Sequence, residues 1–166
     1  MIIYQSTKEE FLKDVENGIE KAILLNYRDK TGRTVGQSEQ DSWRKSLRYM
    51  RDVLHDTEIP TSTGVAIEYQ IPQTSKRIDF VLTGQNEERT AHAVLIELKQ
   101  CSEGKLTEED GLVDTGFYGK VSHPSYQAWS YAALLEGFNE AVYSENIQLR
   151  PCAYLHNYIA DDVIRN

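Results

Sequence analysis

The sequence predicts an α/β fold in which helices lead, three antiparallel strands follow, and a helix crosses over to a last strand. Three observations predict it. Apolar residues recur at helical spacing before residue 55 and again after Pro124. Between them, VAIEYQI (65–71), RIDFVL (77–82) and AVLIELK (93–99) are short apolar runs separated by polar links of hairpin length. PCAYLHNYI (151–159) is a fourth such run, placed where a crossover returns it parallel to the sheet.

The elements follow in order. Thr7-Lys8-Glu9-Glu10 has the form of a capping box, and Phe11, Val15, Ile19, Ala22 and Ile23 continue it as one helix. TGRTVGQS is a polar loop. Ser38 is the expected N-cap of a second helix, which puts Trp43, Leu47, Met50 and Leu54 on one face. DTEIPTSTG is a turn, and PQTSK and GQNEERTAH join the three strands as hairpins. SEGKLTEEDGLVDTGFYGKVSH is a long loop rich in glycine and acid. Pro124 then opens a third helix, PSYQAWSYAALLEGF, which ends near Gly137. No repeat or low-complexity tract interrupts the chain, and residues 1–166 are of a length for one domain.

Composition sets bounds on function. No apolar run reaches the length of a membrane span, and MIIYQSTKEEF lacks the charged and apolar regions of a signal peptide, so a cytoplasmic location is the default expectation. Cys101 and Cys152 are the two cysteines, too few for a Cys-only zinc or iron–sulfur site. A net charge of −8 argues against coating nucleic acid through bulk charge but leaves room for a local basic groove. No GxxxxGK[ST] sequence is present, so no Walker-type ATP site is expected.

The strands pose a chemical problem. Two buried runs carry Asp79, Glu97 and Lys99. Side chains alternate along a strand, so Glu97 and Lys99 share a face while Val94, Ile96 and Leu98 take the other. A hairpin centred on Glu88 sets Asp79 opposite Glu97. Two carboxylates that close repel, and burial raises the cost. A hard divalent cation removes the repulsion, and Mg²⁺ is commonly held by one or two carboxylates with substrate phosphate completing its shell. Lys99 lies next along the same face, where it meets an anionic substrate or orients a water.

Asp79 followed by Glu97-Leu98-Lys99, in an α-β-β-β-α-β order, resembles the PD-(D/E)XK nuclease superfamily, with Ile78 where the name has proline. Gln127-Ala-Trp-Ser-Tyr131 on the downstream helix resembles the QxxxY motif of the RecB-like branch. The resemblance runs from about Ser38 to about Tyr158. It implies a restriction-endonuclease-like αβββαβ core, a central mixed four-stranded sheet flanked by helices, with the N-terminal helix as an addition. It also implies Mg²⁺- or Mn²⁺-dependent hydrolysis of nucleic acid, DNA first, leaving a 5′-phosphate. Asp79, Glu97 and the Leu98 carbonyl would hold the ion. Lys99 would orient water or stabilise developing charge, and Gln127 and Tyr131 would position the phosphate or Lys99. The stretches SEQDSW, IEYQIPQTSKRIDF and HPSYQAWSYAALLE further resemble bacterial proteins in which such a domain precedes a P-loop helicase, which implies that this chain is a domain excised from a longer protein.

Other residues stay open to two readings. Glu39 is either an accessory metal ligand or a favourable charge at a helix start. Glu68 is a weaker candidate for the same role, since alternation sets it on the face opposite Asp79. His123 either touches substrate or caps the third helix. Arg44 and Arg48, with Lys45 and Arg51, line a phosphate path or form the helix's wet face. Arg77 either meets substrate or pairs with the carboxylates. Two other function classes compete: a non-catalytic nucleic-acid-docking module attached to a motor, and a metal-dependent hydrolase of a small phosphoester. A nuclease must gather Asp79, Glu97 and Lys99 at a cleft open to solvent. A docking module need not, and a small-phosphoester hydrolase needs a closed pocket.

Overall fold

The structure is a computed structural model that describes residues 1–115, 119–159, 161 and 163. Residues 116–118 of the acid-rich segment, and all but two residues of DDVIRN, lie outside the described residues. The fold is mixed α/β. Strands β1 (Ile2–Thr7), β2 (Gly64–Gln70), β3 (Arg77–Gln85), β4 (Ala91–Lys99) and β8 (Gln148–Leu155) form a five-stranded sheet in the order β1-β2-β3-β4-β8. Neighbours are antiparallel except β4 and β8, which run parallel. Helices α1 (Lys8–Glu16), α2 (Ile19–Thr31) and α3 (Gln37–Leu54) precede β2. Helix α4 (Pro124–Phe138) and the short α5 (Glu140–Ser144) make the crossover to β8. Among the described residues no helix is long and apolar enough to cross a membrane.

The three central strands, the crossover helix and the parallel return are as the sequence predicts. Five features differ. The sheet has a fifth strand, because Ile2–Thr7 pairs antiparallel with β2 and buries Ile3 and Tyr4. The leading helix is two helices. Gly18 adopts a left-handed φ of 84° and ends the first, although the apolar spacing runs on through the break. The second predicted helix begins two residues earlier than expected, with Gly36 and not Ser38 at its N-cap. The long polar segment is not all loop: β5 (Lys105–Leu106), β6 (Leu112–Asp114) and β7 (Lys120–Ser122) form a small antiparallel sheet. The last strand spans 148–155, not 151–159, because Asn146 at a φ of 53° turns the chain out of α5 directly into it.

Both faces of the sheet are covered. One core joins Phe11, Ile23, Trp43, Leu47 and Met50 of α1–α3 to Val65, Ile67, Phe80 and Ile96. The other joins Tyr131, Ala132 and Leu135 of α4 to Ala66, Ile78, Val81, Ala93 and Leu95. Strand β4 alternates strictly between them, as the sequence predicts. Strands β2 and β3 do not. Val65 and Ile67 face the first core, yet Tyr69 and Ile71 pack on the second. Ile78 packs on the second core and Phe80 on the first. The ladder between these strands skips from Ile67↔Phe80 to Tyr69↔Ile78, with Glu68 at a φ of 57° in the gap. This slip is the physical origin of the site: it turns Glu68 and Asp79 out of the regular pleat at matching positions.

Candidate metal and phosphate site

The β3–β4 register runs from Phe80↔Ile96 to Gln85↔Ala91, which centres the hairpin on residue 88 as the alternation argument requires. Beyond Phe80 the ladder stops, and a side chain replaces the backbone acceptor: the Leu98 N–H donates to Asp79 Oδ2 at 2.9 Å. The N–H and C=O of one strand residue leave on the same side, so the Leu98 carbonyl also turns toward Asp79 and away from the β8 ladder. Glu97 lies on the α4 side of β4. Its Oε1 pairs with Lys99 Nζ at 2.7 Å and accepts from Gln127 Nε2 at 2.6 Å. Gln127 Nε2 also donates to the Tyr131 hydroxyl at 2.7 Å, as residues one helical turn apart on one face allow. The structure thus brings Asp79, Glu97, Leu98, Lys99, Gln127 and Tyr131 together.

Electrostatics at this point are strained. Glu97 is 4% exposed, and its Oε2 is buried without a hydrogen-bond partner. Burial, reinforced by the Asp79 charge, pushes the Glu97 carboxyl up to about 7, and the bonded Lys99 ammonium only partly offsets this. Burial also raises Asp79, against the Leu98 N–H and the Lys99 and Arg77 charges. The Tyr131 hydroxyl is raised by burial and by Glu97.

Arg77, Glu39 and Glu68 form a second cluster beside the first. Arg77 Nη2 pairs with Glu39 Oε1 at 2.8 Å, and its Nε pairs with Glu68 Oε2. Trp43 Nε1 donates to Glu68 Oε1 at 2.7 Å. Burial pushes the Glu68 carboxyl up to about 7, against Arg77 and the Trp43 bond. Glu68 therefore does not sit on the face opposite Asp79, as alternation places it. The slip in β2 turns it toward α3 and into the same cavity. Both Glu39 and Glu68 are engaged by Arg77, and Arg77 is neutralised by them. Among the described residues no group of three or more His, Cys, Asp or Glu side chains is gathered for a metal ion, and Glu39 and Glu68 are paired with Arg77.

The remaining candidates lie apart. His123 caps α4, its Nδ1 accepting from the Ser125 N–H at 3.2 Å. Arg44 pairs with Glu20 at 3.1 Å and with Asp41 at 2.9 Å, which explains its position on the α3 surface without a ligand. Arg48 is exposed on the same helix.

Three depressions meet at the cluster. A cavity of ≈ 210 Å³ is lined by Asp79, Glu97, Leu98, Lys99, Arg77 and residues of α3. It shares Lys99 and Ser42 with a cleft of ≈ 730 Å³ that runs between α3 and the β5–β7 sheet past Lys45. On the other side it shares Arg77, Asp79 and Glu97 with a groove of ≈ 470 Å³ that carries Arg33, Lys76, Gln127 and Tyr131. The cluster thus lies where three depressions adjoin as a trough, with Lys45, Arg33 and Lys76 among the side chains that line it. Sequence reasoning missed Arg33, Lys76, Ser42, Ser46 and the Trp43 donor. The spacing of Ser42 and Ser46, one turn apart and flanking Trp43, is the signal that points to the last three.

The donor set suits a small hard cation. Asp79, the unpartnered Glu97 Oε2 and the Leu98 carbonyl are all oxygens, two of them from carboxylates whose mutual repulsion a cation relieves. The chain matches no protein-family model, no curated protein and no solved structure.

Proposed function

We propose that this protein is a Mg²⁺- or Mn²⁺-dependent nuclease of the PD-(D/E)XK type, with DNA as the first substrate to test. The observation that carries the reading is Glu97: a buried carboxylate, clamped through one oxygen by Lys99 and Gln127, with its other oxygen bare beside Asp79. A buried charge is costly unless a partner compensates it, and Lys99 alone leaves the pair short. Asp79, Glu97 and the Leu98 carbonyl would hold the ion. When bound, it supplies Lewis-acid polarisation of a phosphate oxygen and a lower pKa for water.

The chain's own residues do the rest. Gln127 fixes the Glu97 carboxylate and is itself fixed by Tyr131, so the bare oxygen keeps its direction. Lys99, half-buried at the junction of the depressions, supplies positive charge where negative charge develops on the phosphate. Arg33, Lys76 and Lys45 give the trough the local basic lining that a chain of net charge −8 needs to accept a phosphodiester strand. An open trough favours a polymer over a small phosphoester, which needs a closed pocket.

The test is incubation of the purified protein with single- and double-stranded DNA and RNA in Mn²⁺, Mg²⁺ or EDTA. Metal-dependent cleavage is expected, and Asp79→Asn, Glu97→Gln and Lys99→Ala should each abolish it with the fold intact. Cleavage that persists in all three variants refutes the assigned site. Binding without cleavage in any metal supports the docking-module reading in its place.

A further inference from the structure

We infer that Ser46, held in place by His156, is a substrate-contacting residue whose hydroxyl donates to a phosphate oxygen of the strand in the cavity beside Asp79 and Glu97. The identity of the ligand rests on the nuclease reading; the unspent donor does not. Ser46 lies on α3, is 6% exposed, and lines the ≈ 210 Å³ cavity. A buried helical serine ordinarily donates to the carbonyl three or four residues back. Ser130 does so, to Gln127. Ser46 does not: among the described residues its hydrogen-bond partner is His156 Nε2, at 3.1 Å.

The direction of that bond follows from the other ring nitrogen. His156 Nδ1 is buried and has no partner. A neutral imidazole carries one N–H. Placed on Nδ1, that proton would be an orphaned buried donor, the rarer and costlier arrangement. Placed on Nε2, it donates to Ser46 Oγ and leaves only a bare lone pair at Nδ1. Burial lowers the His156 pKa and so favours the neutral ring. The ring is also held in orientation, stacked on Tyr49 at 4.3 Å and met edge-on by Tyr154 at 6.0 Å.

Ser46 therefore receives a hydrogen bond and keeps its own proton to give. Three of its neighbours on the cavity wall are already engaged. Trp43 Nε1 serves Glu68, Arg77 serves Glu39 and Glu68, and Lys99 serves Glu97. Among the donors lining the cavity, Ser46 is the buried hydroxyl that a second side chain holds in place and leaves with a proton to give an incoming anion, whereas Ser42 on the same wall is exposed. His156 is a positioning residue that acts through it.

The test measures binding of a fluorescein-labelled oligonucleotide to the full chain in EDTA, where cleavage cannot confuse the reading, with single-stranded and duplex DNA and RNA as probes. Ser46→Ala should weaken binding about tenfold, the value of a hydrogen bond to a charged group. His156→Phe should weaken it to a similar degree. The double variant should bind no worse than either single one. His156→Gln, which retains a donor to Ser46, should restore binding to within about threefold. Should Ser46→Ala fail to fold, Ser46→Cys reads the same loss of donor strength at nearly unchanged volume. Unchanged binding in the Ser46 variant overturns the inference, as do losses that multiply in the double variant or no binding by the parent protein to any probe. Binding that depends on Ser46 in a protein that cleaves nothing in any metal would sustain the inference while refuting the nuclease reading.

Discussion

Replacing Glu97 with glutamine should make the metal-free protein more stable, not less. The carboxyl is buried, and its pKa stands at about 7 against an ordinary 4.5. A carboxyl that holds its proton more tightly when folded costs nothing below the unfolded value, where both states are protonated. It costs its full amount above the folded value, where both are ionised. Stability therefore falls as pH rises from about 4.5 to about 7. At about 1.4 kcal/mol per unit, the full cost is about 3 kcal/mol. Glutamine removes the charge, keeps an oxygen for Lys99 and Gln127, and loses the ion pair with Lys99, which reduces the net gain to about 1–3 kcal/mol. For a chain of this length that is a rise of about 3–10 °C in melting temperature at pH 8 in EDTA. The gap should close at pH 5. Mn²⁺ should offset that gain or reverse the order, since at a hundredfold excess over its dissociation constant it adds about 2.7 kcal/mol to the parent protein only. The assay is a set of thermal melts of both proteins at pH 5 and 8, with EDTA and with Mn²⁺. A glutamine variant that melts below the parent at pH 8 in EDTA, or by the same margin at both pH values, refutes the electrostatic account of this site.

Three further outcomes are expected. Asp79→Asn should leave the metal-free melting temperature unchanged or raised, and should abolish most of the Mn²⁺-induced shift; an equal shift in both proteins would place the ion elsewhere, and matched NaCl should not reproduce it. Trp43→Phe removes the 2.7 Å bond to Glu68 and should cost about 1–3 kcal/mol by denaturant titration, more at pH 8 than at pH 5, because the bond stabilises the ionised carboxylate. Gly64→Ala should destabilise by about 1–3 kcal/mol, since the added methyl would meet Thr83 Oγ1 at 2.3 Å across the β2–β3 pair; Thr83→Ala should recover most of that loss in the double variant.

Local chemistry made much of this protein legible in its sequence. Strand alternation placed Glu97 and Lys99 on one face of β4, because β4 runs as a regular strand and period two is all the argument needs. Hairpin length set the β3–β4 register, and helical period put Gln127 and Tyr131 side by side. The mixed α/β class followed from the order of elements. What the sequence could not carry was whatever depends on contacts distant along the chain. Strand β1 exists because β2, some sixty residues later, offers it an edge. Glu68 turns toward Arg77 and Trp43 because a slip in β2 coincides with one in β3, and no local pattern marks a strand that changes phase. Arg44, Arg77 and Glu39 read alike as charges near a helix start or a strand, and only packing decided which were spent on each other. His156 and Ser46 are 110 residues apart, and the parallel pairing of β8 with β4 brings them within a hydrogen bond. Periodicity reports which face a side chain takes on its own element; which partner waits on that face is decided only when the elements pack.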